Sequence, residues 1–455
     1  MVRDSEKLKR YTLLTCCFAT YLTPFLTSSV NIAIPSIGTV FHASASELTW
    51  VVNSFLLISA AFTLPFGRLA DIIGRKKLFV PSFLIFSAAS FLCLLSKSIQ
   101  WLIAFRIVQG VSAALSFSIS MAILTSAYPP EERGKALGIN SAVTYLGLSS
   151  GPVIGGFLTQ HWGWASIFIV SGVLGLVIFI LALTQLKGEW SGAPGESFDW
   201  QGAIFYVIGI PAFLYGFSSL YNNSYNILLT LGGLILLLLF TRHETRIDHP
   251  LLPLRLLREN RVFAYSNLAA LINYAATFAV TFLLSLYLQS VLNIDPKTAG
   301  MILLPQPVLM AVVSPFAGRL SDRMDPKTIS VWGMTICALG LVFFAMVNSG
   351  TPIYLIIANL TFIGIGFGLF ASPNNSAIMG SVEKKYYGMA SSTLGSMRLS
   401  GQSISMGLAT LILDKYVGAV ELSTAPTDQL LAGIKIAFII FAVICLGGTI
   451  AARQK

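Results

Sequence analysis

Long runs of apolar residues, separated by short polar or charged turns, extend along nearly the whole chain. A run of roughly 17–25 mainly apolar residues is long enough to cross a bilayer as an α-helix. The pattern therefore predicts an all-α polytopic membrane protein with fourteen transmembrane helices. The predicted spans are 11–32, 49–68, 78–96, 99–123, 134–158, 164–186, 200–219, 226–242, 262–289, 298–318, 329–347, 352–372, 387–413 and 433–452.

Composition and charge support this pattern and give it an orientation. Of the 455 residues, 55% are hydrophobic and only 11% are charged, which excludes an ordinary soluble domain. Lys and Arg concentrate in alternate loops, and the positive-inside rule then places both termini in the cytoplasm of a multi-pass plasma-membrane protein. The net charge of +10 is a topology signal that requires no nucleic-acid partner. The predicted outer loops hold only Lys97, Lys297, Lys415 and Lys435.

Two sequence patterns occur twice in the same order, which indicates an internal duplication. The stretch PFGRLAD ends at Asp71, and PFAGRLSD ends at Asp322. A looser Gly-to-Gly match relates 134–147 to 388–401. Transporters built from repeats place their substrate site between the halves. The predicted domains are an N-terminal six-helix bundle at 1–186, linkers with two inserted helices at 187–261, and a C-terminal six-helix bundle at 262–455.

Three motifs carry a family resemblance. The stretches GRLADIIGRKK from Gly67, RIVQG from Arg106 and GLSSGPVIGG from Gly147 resemble the three signatures of the major facilitator superfamily. Their combination with HPLLPLRLL from His249 is similar to the fourteen-span drug:proton antiporter branch, of the multidrug efflux type. The resemblance implies the major facilitator fold, two six-helix bundles plus two inserted central helices.

The first signature contains residue types suited to a gate. Gly67 allows close helix approach, Asp71 can lie against the positive N-terminus of a helix from the other half, and Arg75 can pair with acids or lipid phosphates. The resemblance implies a gating role for these residues and for Asp322 in the second copy. The alternative is a basic anchor that only fixes topology.

Two arginines lie within predicted spans. Burying Arg106 near the middle of a span costs at least about 2.5–3.5 kcal/mol, so it must face a polar cavity or a partner. Gln109 is nearly one turn away and is expected on the same face. The resemblance implies that Arg106 takes part in proton coupling, and a structural polar clamp is the alternative. Arg398 faces the cavity or extends toward the helix end.

The third signature places small residues along a predicted span. Gly147, Gly151 and Gly155 recur every four residues and form one helix face, Pro152 introduces a bend, and Gly156 follows. The resemblance implies that in exporters this helix seals the path against a helix of the other half. We therefore expect the glycine face to be an interface between the halves.

Acidic residues are absent from the middle of every predicted span. Leu26 occupies the place where the fourteen-span branch commonly has aspartate. A transported proton must then use a span-end acid such as Asp71 or Glu47, or move with the substrate. A cavity made positive by Arg106 and Arg398 favours neutral, zwitterionic or anionic lipophilic substrates.

Polar and aromatic residues in several spans are candidates for the lining of a substrate cavity. Buried amides and phenols orient a mainly apolar ligand through a few hydrogen bonds. For each residue the alternative is a tie between helices. The candidates are Asn31, Asn53, Gln109, Tyr145, Asn273, Tyr274, Gln306 and Arg398.

The preferred reading is a secondary active exporter of lipophilic small molecules, drugs or toxic compounds, working by alternating access as a proton-coupled antiporter. A facilitator or importer of a small metabolite on the same fold is the alternative. A membrane enzyme or receptor is disfavoured, because the four histidines lack metal-ligand spacing and no nucleophile motif is present. We expect no cofactor and no metal, a monomer, and as partners the substrate, protons and membrane lipids.

Overall fold

The structure is a computed structural model that describes residues 2–220, 225–252, 254–321, 323–383, 387–418, 420–421 and 425–453. These residues form seventeen α-helices joined by short turns and two longer connectors. The helices are α1 (Val2–Phe41), α2 (Ala45–Ile73), α3 (Arg75–Leu94), α4 (Ile99–Ala127), α5 (Pro130–Trp162), α6 (Ala165–Gln185), α7 (Trp200–Ser218), α8 (Tyr225–Glu244), α9 (Leu254–Glu259), α10 (Arg261–Thr277), α11 (Ala279–Leu286), α12 (Pro296–Leu303), α13 (Pro305–Ser321), α14 (Pro326–Ala345), α15 (Ile353–Gly380), α16 (Tyr387–Tyr416) and α17 (Thr427–Arg453).

Twelve helical segments of the described chain are long and apolar enough to cross a membrane. One of them combines α10, α11 and a π-helical turn, Tyr287–Val291, and another combines α12 and α13. The helices α5 and α16 are not among the twelve but contain 33 and 30 residues, enough to span a bilayer. The all-α membrane class is confirmed, and the count of fourteen stays a prediction.

The helices pack in two groups along the chain. In the first group α1 packs on α5, α2 on α4, and α3 on α4 and α6. In the second, α14 packs on α15 and α17, α13 on α15, and α10 on α16 and α17. The two groups meet where α2 contacts α16 and where α5 contacts α12 and α13. The domain limits at 186 and 262 remain predictions.

The pair α7–α8 lies beside the contact between α2 and α16. The helix α7 packs on α8 and touches both α2 and α16. Trp50 of α2 and Tyr215 of α7 have ring centroids 4.9 Å apart, and the hydroxyl groups of Tyr206 and Ser396 are 2.5 Å apart. The inserted pair therefore covers one side of the junction between the groups.

We call the end of the bundle that holds the N-terminus of α1, the α2–α3 turn and the C-terminus of α17 the basic face, and the other end the opposite face. At the opposite face the two groups are in close contact. The amide of Gln289 donates to the carbonyl of Ile32 at 3.0 Å, and the hydroxyls of Thr49 and Thr410 are 2.6 Å apart. Hydrogen bonds from the hydroxyl and backbone N–H of Thr298 lower the pKa of Asp295, which caps α12 at this face.

Candidate functional site

Two adjoining cavities lie between the two groups of helices. The larger has a volume of about 190 Å³ and the smaller about 100 Å³, and both are lined by Tyr274, Phe278, Phe367 and Gln402. The larger extends toward the basic face, where its lining includes Ser120 of α4 and Ser392 of α16. The smaller extends toward the opposite face, which the contacts described above close.

The lining combines apolar and aromatic side chains with many neutral polar groups. Such a surface binds a mainly apolar ligand and orients it with a few hydrogen bonds. Arg398 is the only charged residue among those that line the two cavities in the described part of the chain. Its guanidinium carbon lies 6.0 Å from the centroid of the Tyr274 ring. The cavity therefore presents one positive charge beside an aromatic ring.

Most of the sequence-predicted candidates line one or both of these cavities. Five of the eight do so: Asn31 and Gln306 in the smaller cavity, Tyr145 and Arg398 in the larger, and Tyr274 in both. The other three, Asn53, Gln109 and Asn273, are fully buried and line neither. Their amides lie within the helix packing, so the alternative of a structural position describes them better.

Arg106 is fully buried inside the first group of helices and lines neither cavity. Its Nε donates to the carbonyl of Val51 at 3.0 Å, and its Nη1 donates to Gln109 at 2.9 Å. The guanidinium carbon lies 4.2 Å from the centroid of the Phe55 ring. Gln109 in turn donates to Ser90 at 2.6 Å. The expectation that Arg106 charges the cavity is wrong, because its side chain ties α4 to α2 and α3.

The first signature lies at the basic face, where residues 187–199, the first connector, cover it. Asp71 pairs with Arg75 one turn later, at 2.8 Å from Nε, instead of approaching a helix of the second group. The backbone carbonyl of Asp71 also accepts from the N–H groups of Gly192 and Ala193. Gly67 lies where α2 approaches α16, since a Cβ there would be 3.3 Å from the Ser392 hydroxyl. Asp322 lies outside the described residues.

The glycine face of the third signature packs within the first group of helices. The expectation that it forms the interface between the halves is therefore wrong. A Cβ at Gly147 would lie 2.7 Å from the carbonyl of Tyr21, and one at Gly151 would lie 2.6 Å from the Cβ of Ser28. A Cβ at Gly155 would lie 2.7 Å from the Cα of Ser29. All these neighbours belong to α1. The spacing of four correctly predicts a close helix contact, but the partner is in the same group.

The contact between groups is made by the residues next to this face. A Cβ at Gly156 would lie 2.5 Å from the carbonyl of Pro296 and 3.1 Å from the Cα of Lys297. The carbonyl of Pro152 lies against Gly300 of α12. The seal of α5 against the second group therefore depends on Gly156 and Gly300.

Comparison with known proteins identifies the family. Residues 16–406 and 266–453 match the family model described as Major Facilitator Superfamily. The chain belongs to the major facilitator superfamily. A bacterial homologue of the human lysosomal transporter Spinster, a solved structure in this fold, superposes with a TM-score of 0.71 at 15% identity over 98% of this chain and 97% of that one. The predicted fold class is confirmed.

Curated relatives in the major facilitator superfamily carry different names. The riboflavin transporter RibZ of Clostridioides difficile is 33% identical over 410 residues, which is 90% of this chain and 88% of that protein. The multidrug resistance protein Stp of Mycobacterium tuberculosis is 28% identical over 395 residues, 86% of this chain and 73% of that protein. Membership of the major facilitator superfamily makes the chain a transporter. The names of these relatives point to different substrates and do not identify the substrate of this chain.

Two buried acids outside the cavity escaped the sequence interpretation, which placed every acid in a loop, a terminus or a span end. Asp199, the N-cap of α7, is 5% exposed, and Glu244, the last residue of α8, is 4% exposed. An aspartate directly before a helix start is a capping signal. That signal was available for Asp199, whereas nothing in the sequence indicated that Glu244 folds inward beside it.

Proposed function

We propose that this member of the major facilitator superfamily exports lipophilic small molecules that are neutral, zwitterionic or anionic, by alternating access and in exchange for protons. In the proposed orientation the basic face is cytoplasmic, so the cavity is open toward the cytoplasm and closed toward the outside. The fourteen-span drug:proton antiporter branch is the subfamily that the proposal assigns.

The observation that carries the proposal is the single charge of the cavity. Arg398 lies beside Tyr274 among hydroxyl, amide and aromatic groups. A guanidinium in a partly desolvated cavity attracts an anionic group and repels a permanent cation. Planar aromatic substrates also suit the rings of Tyr274 and Phe367, which meet edge to face with centroids 5.4 Å apart.

A metabolite facilitator or importer is the second candidate, favoured by the 33% identity to the riboflavin transporter RibZ. Riboflavin is neutral, aromatic and rich in hydrogen-bonding groups, and the lining described above also suits such a molecule. The two candidates differ in whether a pH gradient drives the movement and in its direction.

The test is transport by the purified full chain in proteoliposomes. A lipophilic anionic dye, a cationic dye of similar size and riboflavin are each measured with and without an imposed pH gradient. The proposal expects anion movement that requires the gradient and releases protons on binding. Preference for the cation contradicts the cavity assignment, and movement of riboflavin without any gradient favours the facilitator.

Variants of Arg398 give the sharpest arm of this test. A hydrogen bond to a charged group contributes about 1.5–3 kcal/mol, so Arg398→Gln should weaken anion transport roughly 10- to 100-fold. Arg398→Lys should retain part of it, since the charge is kept but the planar donor set is lost. Arg453→Gln, which changes an exposed arginine at the end of α17 outside the three signatures, is the matched control and should leave transport unchanged.

A further inference from the structure

Asp199 and Glu244 form a buried acid pair at the basic ends of the inserted helices. The carboxylate of Asp199 caps α7, and its Oδ1 accepts from the Gly202 N–H at 2.9 Å and lies 2.9 Å from Nε2 of His243. The Oε2 of Glu244 accepts from the Leu252 N–H at 2.9 Å. One oxygen of each carboxyl group is therefore occupied.

The two remaining oxygens meet at the same place. A Cβ built on Gly202 would lie 2.9 Å from Oε1 of Glu244 and closer still to Oδ2 of Asp199. Both oxygens are buried and receive no hydrogen bond from the residues that the structure describes. Two ionised carboxylates cannot remain side by side away from water, and such a pair holds one proton between its oxygens.

Each acid also fixes one connector. Asp199 ends the first connector, whereas Glu244 holds residues 245–252, the second connector, through Leu252. Glu196 of the first connector pairs with Arg68 of α2 and with His249 of the second connector, the latter at 3.0 Å. Upstream, Glu189 accepts from the Lys76 N–H at 2.8 Å, and Arg75 donates its N–H to Trp190 at 2.8 Å. These contacts, together with the backbone of the first connector, link the acid pair to the α2–α3 turn.

We propose that Asp199 and Glu244 share one proton, and that this proton latches both connectors onto the α2–α3 turn until a rise in pH at the basic face releases them. Loss of the proton leaves two buried negative charges, and among the described side chains His243 is the basic group in contact with the pair. The connectors then separate and free the first signature. The regulatory consequence rests on the proposed transport function and orientation, whereas the shared proton does not.

The charges around the pair come from several elements. Helix α7 carries no charged residue, and Glu196 already pairs with Arg68 and contacts His249. The remaining charged side chains on neighbouring elements whose exposure the structure describes are open to solvent at the basic face, so none of them replaces the shared proton. They are Arg242 on α8, Arg246 and Asp248 on the second connector, and Arg258 and Glu259 on α9.

The first measurement is infrared titration of the purified full chain. The C=O stretch of a protonated carboxyl group should be present at neutral pH and disappear on alkalinisation. Glu244→Gln and Asp199→Asn should each remove this signal, and Asn keeps the cap of α7. Asp248→Asn, an exposed acid on the same connector, is the matched control and should retain it. A signal that is absent from the wild type, or that survives in both variants, overturns the proposal.

The second measurement is tryptic cleavage at Lys187, which is exposed on the first connector. Cleavage of the wild type and of Asp248→Asn should rise by up to about tenfold per pH unit once the pair ionises, because opening releases one proton. Glu244→Gln should stay slow, since its amide donates to Asp199 at every pH. An identical pH profile for Glu244→Gln and Asp248→Asn contradicts the latch.

Transport separates this proposal from the proposed function. If both measurements give the expected result but no substrate moves in proteoliposomes, the transport proposal fails and the latch stands. A different outcome is a wild-type transport rate that is as independent of the pH at the basic face as that of Glu244→Gln. In that case the latch has no regulatory role, and that part of the proposal is wrong.

Discussion

At the scale of single residues, Arg106 and Arg398 show how the same residue type in a span can do two different things. Arg106 is enclosed by backbone and amide acceptors and by Phe55, whereas Arg398 lines the cavity. Both satisfy the rule that a charge in a span faces a cavity or a partner. The sequence left open whether Arg106 is a polar clamp and whether Arg398 faces the cavity, and the structure encloses Arg106 among helices and places Arg398 in the cavity lining.

This difference predicts that the same substitution affects mainly stability at Arg106 and mainly transport at Arg398. Arg106→Gln should lower the thermal stability of the purified protein, because each lost hydrogen bond to the guanidinium contributes about 1.5–3 kcal/mol. Arg398→Gln should lower stability less than Arg106→Gln does while impairing transport, because Arg398 lines the cavity. Thermal unfolding in detergent, followed by tryptophan fluorescence, measures both. Equal destabilisation of the two variants would contradict the assignment.

Gly156 and Gly151 allow a second comparison. A leucine at Gly156 collides with the backbone of Pro296 and Lys297, which cannot move aside as a side chain can. Overpacking of this kind costs about 1–3 kcal/mol, so Gly156→Leu should shift the population toward an open opposite face by roughly 5- to 150-fold. Gly151→Leu instead disturbs the contact between α1 and α5 and should reduce folding yield.

The measurement is labelling of a cysteine introduced at Thr281, in the smaller cavity, by a polar maleimide added at the opposite face. The five native cysteines are buried and give a low background. Gly232→Leu is the matched control, because a Cβ at that position of α8 meets nothing within 4 Å. Labelling that rises equally in Gly156→Leu and Gly232→Leu would rule out the proposed seal.

At the scale of elements, the first connector has an unexpected role. Its Gly, Ser and Pro content predicts a loop, and the chain between α6 and α7 contains no helix. The sequence does not indicate that this loop covers the first signature, because its contacts use backbone groups and two glutamates, Glu189 and Glu196. Their partners in that signature lie more than a hundred positions away. The second connector, residues 245–252, contains no helix, and the six-residue helix α9 begins at Leu254.

Gly74 tests the contact between the first connector and the α2–α3 turn. Its φ is 122°, and a Cβ would lie 2.7 Å from the Glu189 carboxyl carbon. Gly74→Ala should displace the connector and accelerate tryptic cleavage at Lys187. The substitution also imposes about 1–3 kcal/mol of backbone strain, because alanine disfavours this conformation. Gly188→Ala is the matched control, since Gly188 also has a positive φ, 96°, with nothing within 4 Å.

At the scale of the whole molecule, the sequence predicted the fold better than the site. Length and hydropathy predicted the all-α membrane class, and each predicted span lies on a long helix or on two consecutive ones, because the bilayer requires apolar spans of fixed length. The glycine spacing of α5 also predicted a close contact. Neither hydropathy nor glycine spacing identifies the helix that a given face contacts. The structure was therefore needed to find the partner of the glycine face, the enclosure of Arg106 and the pairing of Asp199 with Glu244.

Alternating access predicts that the opposite face must open during each cycle. The hydroxyls of Thr49 and Thr410, on α2 and α16, are 2.6 Å apart there, so cysteines at both positions lie within reach of a disulfide. The double variant should lose nearly all transport when oxidised and recover it when reduced, because the bond prevents α2 and α16 from separating. Each single cysteine variant should transport normally under both conditions. Full transport by the oxidised double variant, with the bond verified by mass spectrometry, would show that this face does not open between α2 and α16.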